Sequence, residues 1–259
     1  MDKVGKVFEP IETGSIAESV IHQIEAMIVS GILREGTKLP SERALSELLN
    51  VSRPKLREAL KQLEKDNLLV VKQGERSEIA PLTGSAMTPA FLELYGRHPS
   101  ALFDFLEYRR EQEAFAAGLA AKRATKADKE IITEILAEME RSREAKDFKA
   151  EHLADVQFHS AIVAASNNST LIHMMASIYQ LTKRGVFSNR QFLRSMDGVG
   201  RKIHDQHCTI ANCIFEGDAE GASAAARSHL DFVEMSIRAG QERDARERLG
   251  QKRKFMMDK

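Results

Sequence analysis

Asp155 and His159 stand four residues apart in ADVQFHSAI. On a helix, side chains at i and i+4 leave the same face one turn apart. A carboxylate and an imidazole then project together, the arrangement used by helix-borne metal ligands. The same pair is also common as plain polar surface. Two further histidines add to the signal: His207 in DQHCTIANCIF and His229 in AAARSHLDF. Each is flanked by apolar or small residues at core spacing. These are Ile203, Ile210 and Ile214 for the first, and Ala225, Ala226 and Phe232 for the second. An imidazole facing a helical core needs a partner, because an unpaired buried polar group is costly. One divalent ion held by Asp155, His159, His207 and His229 meets that need. Separate hydrogen bonds for each histidine meet it equally. His204, one turn before His207, is an alternative ligand, while His22, His98, His152 and His173 show no comparable pattern.

The elements that must position these residues are helices. From about 101 to 240 nearly every segment has a helical period, and six helices are expected: 101–123, 127–145, 148–166, 168–188, 195–216 and 218–240. Alternating β-branched runs are few, so this region reads as an all-α bundle. Residues 82–100 carry Pro89 and Pro99 and read as a linker enclosing a short helix at 91–95. Residues 241–259, QERDARERLGQKRKFMMDK, are charged with little apolar periodicity and are expected to be a disordered tail.

Residues 10–81 read differently. Ser15 and Glu18 form the S-x-x-E of a capping box before a helix at 16–30. Ser41 opens a second helix at 42–49, and Val51-Ser52 make a very short turn. A third helix starts at Arg53, with Ser52 as its cap and Pro54 in its first turn. Leu68–Lys72 and Ser77–Ala80 are short strands around a tip at 73–76. Three helices and a small hairpin make a winged helix-turn-helix. The fold class is therefore mainly α, with a small β-hairpin in the N-terminal domain. Burial of Leu56, Leu60 and Leu63 leaves Arg53, Lys55, Arg57 and Lys61 outside. In such motifs the N-terminal residues of this helix lie nearest the bases of the major groove. A cationic stripe alone is more often solvated surface, and here the two-residue turn and the hairpin give it a nucleic-acid reading. Bulk charge gives no help: residues 1–82 hold 12 Lys+Arg against 13 Asp+Glu, and the whole chain has formal net charge +0.

No apolar run approaches the ~18 residues that span a bilayer, and the first residues lack a signal-peptide or transit-peptide pattern. Two cysteines, Cys208 and Cys213, do not suggest a disulfide framework. A cytoplasmic location is expected. An enzyme is not: no general base stands beside the metal motif, and there is no H-E-x-x-H and no Gly-rich phosphate loop. A metal-dependent hydrolase stays as the remote rival.

The stretch LPSERALSELLNVSRPKLREALKQLEKDNLL resembles the winged helix of GntR-type transcription regulators. LEYRREQE, DVQFHSAIVAASNN and HCTIANCIFEGDAEGASAAARSHLDF resemble the FCD effector domain of the FadR-like branch. The resemblance implies a homodimer that binds double-stranded DNA at pseudo-palindromic operators and answers to an effector. It implies DNA contacts from Arg43, Ser52, Arg53, Lys55 and Arg57, with Gln73 and Gly74 at the wing tip. It implies one divalent metal per chain, zinc or nickel, on Asp155, His159, His207 and His229. It points to the subgroup that senses lactate, pyruvate or glycolate, and to a repressor of a carboxylate-metabolism operon released by its ligand. A structural metal with a larger organic effector elsewhere is the alternative. Arg109 is expected either to meet an effector carboxylate or to pair with Glu113, and Asn168 either to touch effector or to cap a helix. The wing reads QGERSEIA and lacks the second glycine of the G-x-G-T-F/Y pattern of many members. Its tip is therefore expected to differ in shape.

Overall fold

The computed structural model of the chain describes residues 15–71, 76–82, 98–183 and 198–257. Its contacts divide the chain into two units, Met1–Ala86 and Met87–Lys259.

In the first unit, α1 (Ile16–Val29) buries Ala17, Val20, Ile24, Met27 and Ile28. Ser15 sits at its N-cap but makes no side-chain cap bond, so the expected capping box does not form. α2 (Glu42–Leu49) is capped by Ser41, whose hydroxyl accepts the Ala44 N–H at 3.2 Å. Asn50 ends it in the left-handed conformation at φ 52°, which short polar side chains tolerate best after glycine. That residue turns the chain within two positions into α3 (Arg53–Lys65), which has Pro54 in its first turn. Leu56, Ala59, Leu60 and Leu63 seal α3 onto α1 and α2. β1 (Leu69–Val70) and β2 (Glu78–Ile79) pair antiparallel, Leu69 opposite Ile79. A bridge from Lys38 to Glu78 adds the segment before α2 to the hairpin.

The second unit is all helix among its described residues: α4 (Pro99–Arg123), α5 (Lys126–Glu144), α6 (Phe148–Ala165), α7 (Ser169–Lys183), α8 (Val199–Glu216) and α9 (Ala219–Met257). Side chains set the boundaries. Thr125 and Asp128 form a capping box on α5, and Asp147 accepts the Lys149 and Ala150 N–H groups at the start of α6. Gly217, at φ 79°, supplies the left-handed end of α8. The tail expected to be disordered instead continues α9 through Met257. Its Gln, Glu, Arg, Ala and Lys residues are good helix formers with no proline, and that local preference outweighs the lack of an apolar stripe. The expected helix at 91–95 lies outside the described residues.

α4 packs chiefly on α9, α5 on α6, and α8 on α9. Small residues let α4 and α9 approach. A Cβ added at Gly118 would stand 2.4 Å from Ser223 Oγ, and that hydroxyl donates at 2.8 Å to the Ala114 carbonyl. Substitution Gly118→Val should therefore destabilise the protein by ~1–3 kcal/mol in urea denaturation. Gly118→Ala combined with Ser223→Ala should recover part of that loss. A Gly118→Val protein as stable as the parent would contradict the packing described.

Candidate functional site

α6, α8 and α9 each send one histidine into the core of the second unit. His159, His207 and His229 are 3%, 0% and 1% exposed. One ring nitrogen from each lies within 4.8 Å of the others. The Nε2 atoms of His207 and His229 are 3.2 Å apart, and Asp155 Oδ1 is 3.8 Å from His207 Nε2. The sequence spacing has placed Asp155 and His159 on one face of α6, and the fold has brought two helices remote in sequence against them.

Each imidazole is held from behind. His159 Nδ1 is 2.7 Å from Glu113 Oε2 on α4. Glu113 is itself gripped by Arg109 one turn earlier, with Nε and Nη2 both 2.7 Å from Oε1. Burial alone would raise the Glu113 carboxyl. The charge of Arg109, with the hydrogen bonds donated by His159 and Arg109, more than offsets this and holds it well below the usual carboxylate range. An ionised carboxylate only accepts, so His159 Nδ1 is the donor and Nε2 keeps its lone pair. His229 Nδ1 donates in the same way to Gln206 Oε1 at 3.2 Å, and His207 Nδ1 faces Met139 Sδ at 3.3 Å.

These facts test the donor set against a divalent ion. His159 Nε2 is buried with no hydrogen-bond partner. Donor atoms around a tetrahedral zinc-type ion, at roughly 2.0–2.2 Å from it, lie about 3.3 Å from one another. The 3.2 and 3.8 Å separations found here bracket that value. The residues fit such an ion. His204, the alternative ligand, turns instead to Glu140 Oε2 at 3.1 Å and is not in the cluster. One turn beyond the histidines, Ala117, Ile162, Val163, Ile210 and Ala226 line a small cavity together with Glu113 and His159. It has room for about one water molecule.

Arg109 is 2% exposed and committed to Glu113, so of the two roles expected for it the pairing is the one observed. Its guanidinium also lies 5.6 and 5.7 Å from the Phe105 and Tyr179 ring centroids. Burial and the Glu113 charge push the Tyr179 phenol well up. Asn168 caps α7, its Oδ1 accepting the Leu171 N–H at 3.1 Å. Cys208 and Cys213 are free thiols. Sequence reasoning missed Glu113 and Gln206 as partners of the histidines. Gln206 adjoins His207 in the chain yet serves His229, and nothing in local spacing signals that.

In the first unit, Arg43, Ser52, Arg53, Lys55 and Arg57 are all exposed around the start of α2 and along α3. Arg57 reaches back to Glu42 on α2, with Nη2 at 2.6 Å and Nε at 3.2 Å from Oε2. Lys55 pairs with Glu58 at 2.8 Å and Arg43 with Glu47 at 3.1 Å. Gln73 and Gly74 lie outside the described residues.

A winged helix-turn-helix followed by an all-helical domain with a buried polar centre is an architecture of DNA-binding regulators. The family description "Bacterial regulatory proteins, gntR family" matches residues 16–79, and "FCD domain" matches residues 104–232. The chain is 34% identical over 230 residues to the "Glc operon transcriptional activator" of Escherichia coli (strain K12), covering 87% of this chain and 90% of that protein. It is 34% identical over 235 residues to the "Putative L-lactate dehydrogenase operon regulatory protein" of the same strain, covering 89% and 90%. A solved Streptococcus agalactiae GntR structure superposes with a TM-score of 0.51 at 25% identity, covering 85% of this chain and 99% of that one. The chain belongs to the GntR family of transcription regulators, with an FCD domain, and is not an enzyme. Among the described residues no helix is long and apolar enough to cross a membrane.

Replacing Arg109 with methionine leaves Glu113 as an uncompensated buried anion. Arg109→Met should lower stability by ~3–5 kcal/mol in urea denaturation, and Arg109→Met/Glu113→Gln should recover most of it. Equal losses in the single and double variants would contradict the buried pair.

Proposed function

We propose that this regulator binds a pseudo-palindromic operator as a homodimer and releases it when a small carboxylate reaches the second unit. The regulated operon is then one of carboxylate metabolism, and the sense is repression. The observation that carries the effector half is the convergence of three buried imidazoles and Asp155 in the FCD domain. Asp155, His159, His207 and His229 hold one divalent ion, zinc or nickel. Once bound, the ion supplies a Lewis-acid centre for a carboxylate oxygen of lactate, pyruvate or glycolate. The names of two relatives, for a Glc operon and an L-lactate dehydrogenase operon, support this ligand class.

The chain's own residues do the rest. His159 and His229 aim Nε2 inward because Glu113 and Gln206 accept hydrogen bonds from their Nδ1–H groups. The apolar side chains of Ile162, Val163 and Ile210 wall the small cavity beside His159. DNA affinity then changes by the difference in effector affinity between the two states of the protein, and by no more. On the DNA side, Arg43, Ser52, Arg53, Lys55 and Arg57 supply the contacts, with Arg53 nearest the helix N-terminus, where bases are read.

One observation favours a second reading. Asp155 and three histidines already make four donors, the number that closes a structural zinc site. The ion would then hold the bundle together while a larger organic effector binds elsewhere.

Three experiments test the proposal. Arg53→Ala should weaken operator binding by ~1–3 kcal/mol in a mobility-shift titration at fixed salt, with effector binding unchanged. Unaltered operator affinity would remove Arg53 from the reading surface. His207→Ala should lower both bound metal and melting temperature, because metal binding is linked to folding. Full metal occupancy in that variant would remove His207 from the ligand set. A metal-dependent thermal shift with lactate, pyruvate or glycolate, absent in Asp155→Ala/His159→Ala protein, separates the first reading from the second.

A further inference from the structure

We propose that Glu113 is the positioning residue of the metal centre, and that it makes His159 the dominant of the three imidazole donors. The inference rests on the metal-binding reading above. A neutral imidazole offers a lone pair on one nitrogen only, and the hydrogen bond made by the other nitrogen decides which. Here the three rings have unequal backing. His159 Nδ1 has an ionised carboxylate at 2.7 Å, His229 Nδ1 a neutral amide oxygen at 3.2 Å, and His207 Nδ1 a thioether at 3.3 Å. Charge-assisted hydrogen bonds are short and roughly twice as strong as neutral ones, and a thioether is a weak acceptor. Among these contacts His159 has the strongest backing.

Glu113 is fixed well enough to set an angle. Both its oxygens are in use, Oε1 by Arg109 and Oε2 by His159, and its side chain is 5% exposed. Arg109, one turn away on the same helix, is clasped between Phe105 and Tyr179. The ring of His159 is thus tied to α4, while its Nε2 is left without a hydrogen-bond partner. A carboxylate in this place raises the basicity of the metal-facing nitrogen, and losing such a partner typically weakens metal binding 10–100-fold.

The rival account is that Glu113 only neutralises Arg109 to hold α4 in the core. Zinc affinity of the full-length protein, measured by competition with a chromogenic chelator, separates the two. The variants are Glu113→Gln, Arg109→Met/Glu113→Gln and Gln206→Ala, with His207→Ala as the control for the centre. The double variant removes both buried charges and keeps the fold testable where Glu113→Gln alone unfolds. Positioning predicts zinc binding weakened about 10–100-fold in the double variant despite its recovered urea midpoint. It predicts a smaller loss in Gln206→Ala and a shifted visible spectrum for the cobalt(II)-loaded double variant. Parental zinc affinity and cobalt spectrum in the double variant, with binding lost in His207→Ala, would overturn the inference and leave the metal reading intact. No zinc bound by the parent protein would overturn both.

Discussion

The Glu113 carboxylate, buried between a guanidinium and an imidazole, is the contact on which the interior of the effector domain depends. Three histidines, an aspartate, a glutamate and an arginine share a space that the surrounding helices otherwise fill with alanine, isoleucine and valine. Each would be costly there alone. Together they form a chain of contacts: Arg109 on the Glu113 carboxylate, and that carboxylate on the His159 Nδ1–H. The small residues along α4 and α9 make that chain possible. A larger side chain at Gly118 would press on Ser223 Oγ and on the Ala219 carbonyl, at the contact that seats α9 on α4. Backbone approach and polar satisfaction are therefore one constraint seen at two scales.

The two arginine–glutamate pairs show how burial sets function. Arg57–Glu42 in the winged helix has close contacts, yet its side chains are 58% and 43% exposed. Such exposed pairs contribute little to stability and are screened by salt. In the proposed DNA contact, a phosphate would take Arg57 from Glu42 at little cost, so the pair would orient the side chain without withholding it. Arg109–Glu113 has similar distances, but both side chains are at most 5% exposed. Separating that pair strands charges in the core. One is a surface poised for exchange, and the other is part of the frame.

What could be read from the chain beforehand divides along the same line. Asp155 and His159 share a face because α6 is a helix, and helical period is written locally. The turn after Asn50 and the stripe of Arg53, Arg57 and Lys61 were legible for the same reason. That His207 and His229 face inward followed from their apolar neighbours at core spacing. The partners of these histidines were not legible. Glu113 is 46 residues before His159, Gln206 lies 23 before His229, and Met139 lies 68 before His207. Those contacts are products of helix packing, which periodicity does not encode. The tail was misread for another reason. It has no apolar face to bury, so the expectation of disorder ignored that strong helix formers can extend a helix already nucleated by α9.

The burial of Arg109 also bears on how an effector can act. Under the proposed mechanism, a three-carbon hydroxy acid has six non-hydrogen atoms, and the best small ligands gain at most about 1.5 kcal/mol per such atom. Its binding free energy thus cannot exceed roughly 9 kcal/mol. Drawing Arg109 away from Glu113 would consume ~3–5 kcal/mol of that. It would also release the carboxylate that orients His159. An effector that leaves the pair intact keeps most of its affinity and keeps the ligand set in place. With Arg109 and Glu113 cancelling one another, Asp155 is the one formal charge that the four donors carry. A divalent ion on those donors is left with one unit of positive charge to be matched. A single carboxylate matches it, while a second carboxylate would bring an unbalanced anion toward Glu113 and the apolar layer of Ile162, Val163 and Ile210. Under the proposed mechanism, the frame that holds the histidines would therefore favour a monocarboxylate without Arg109 touching it.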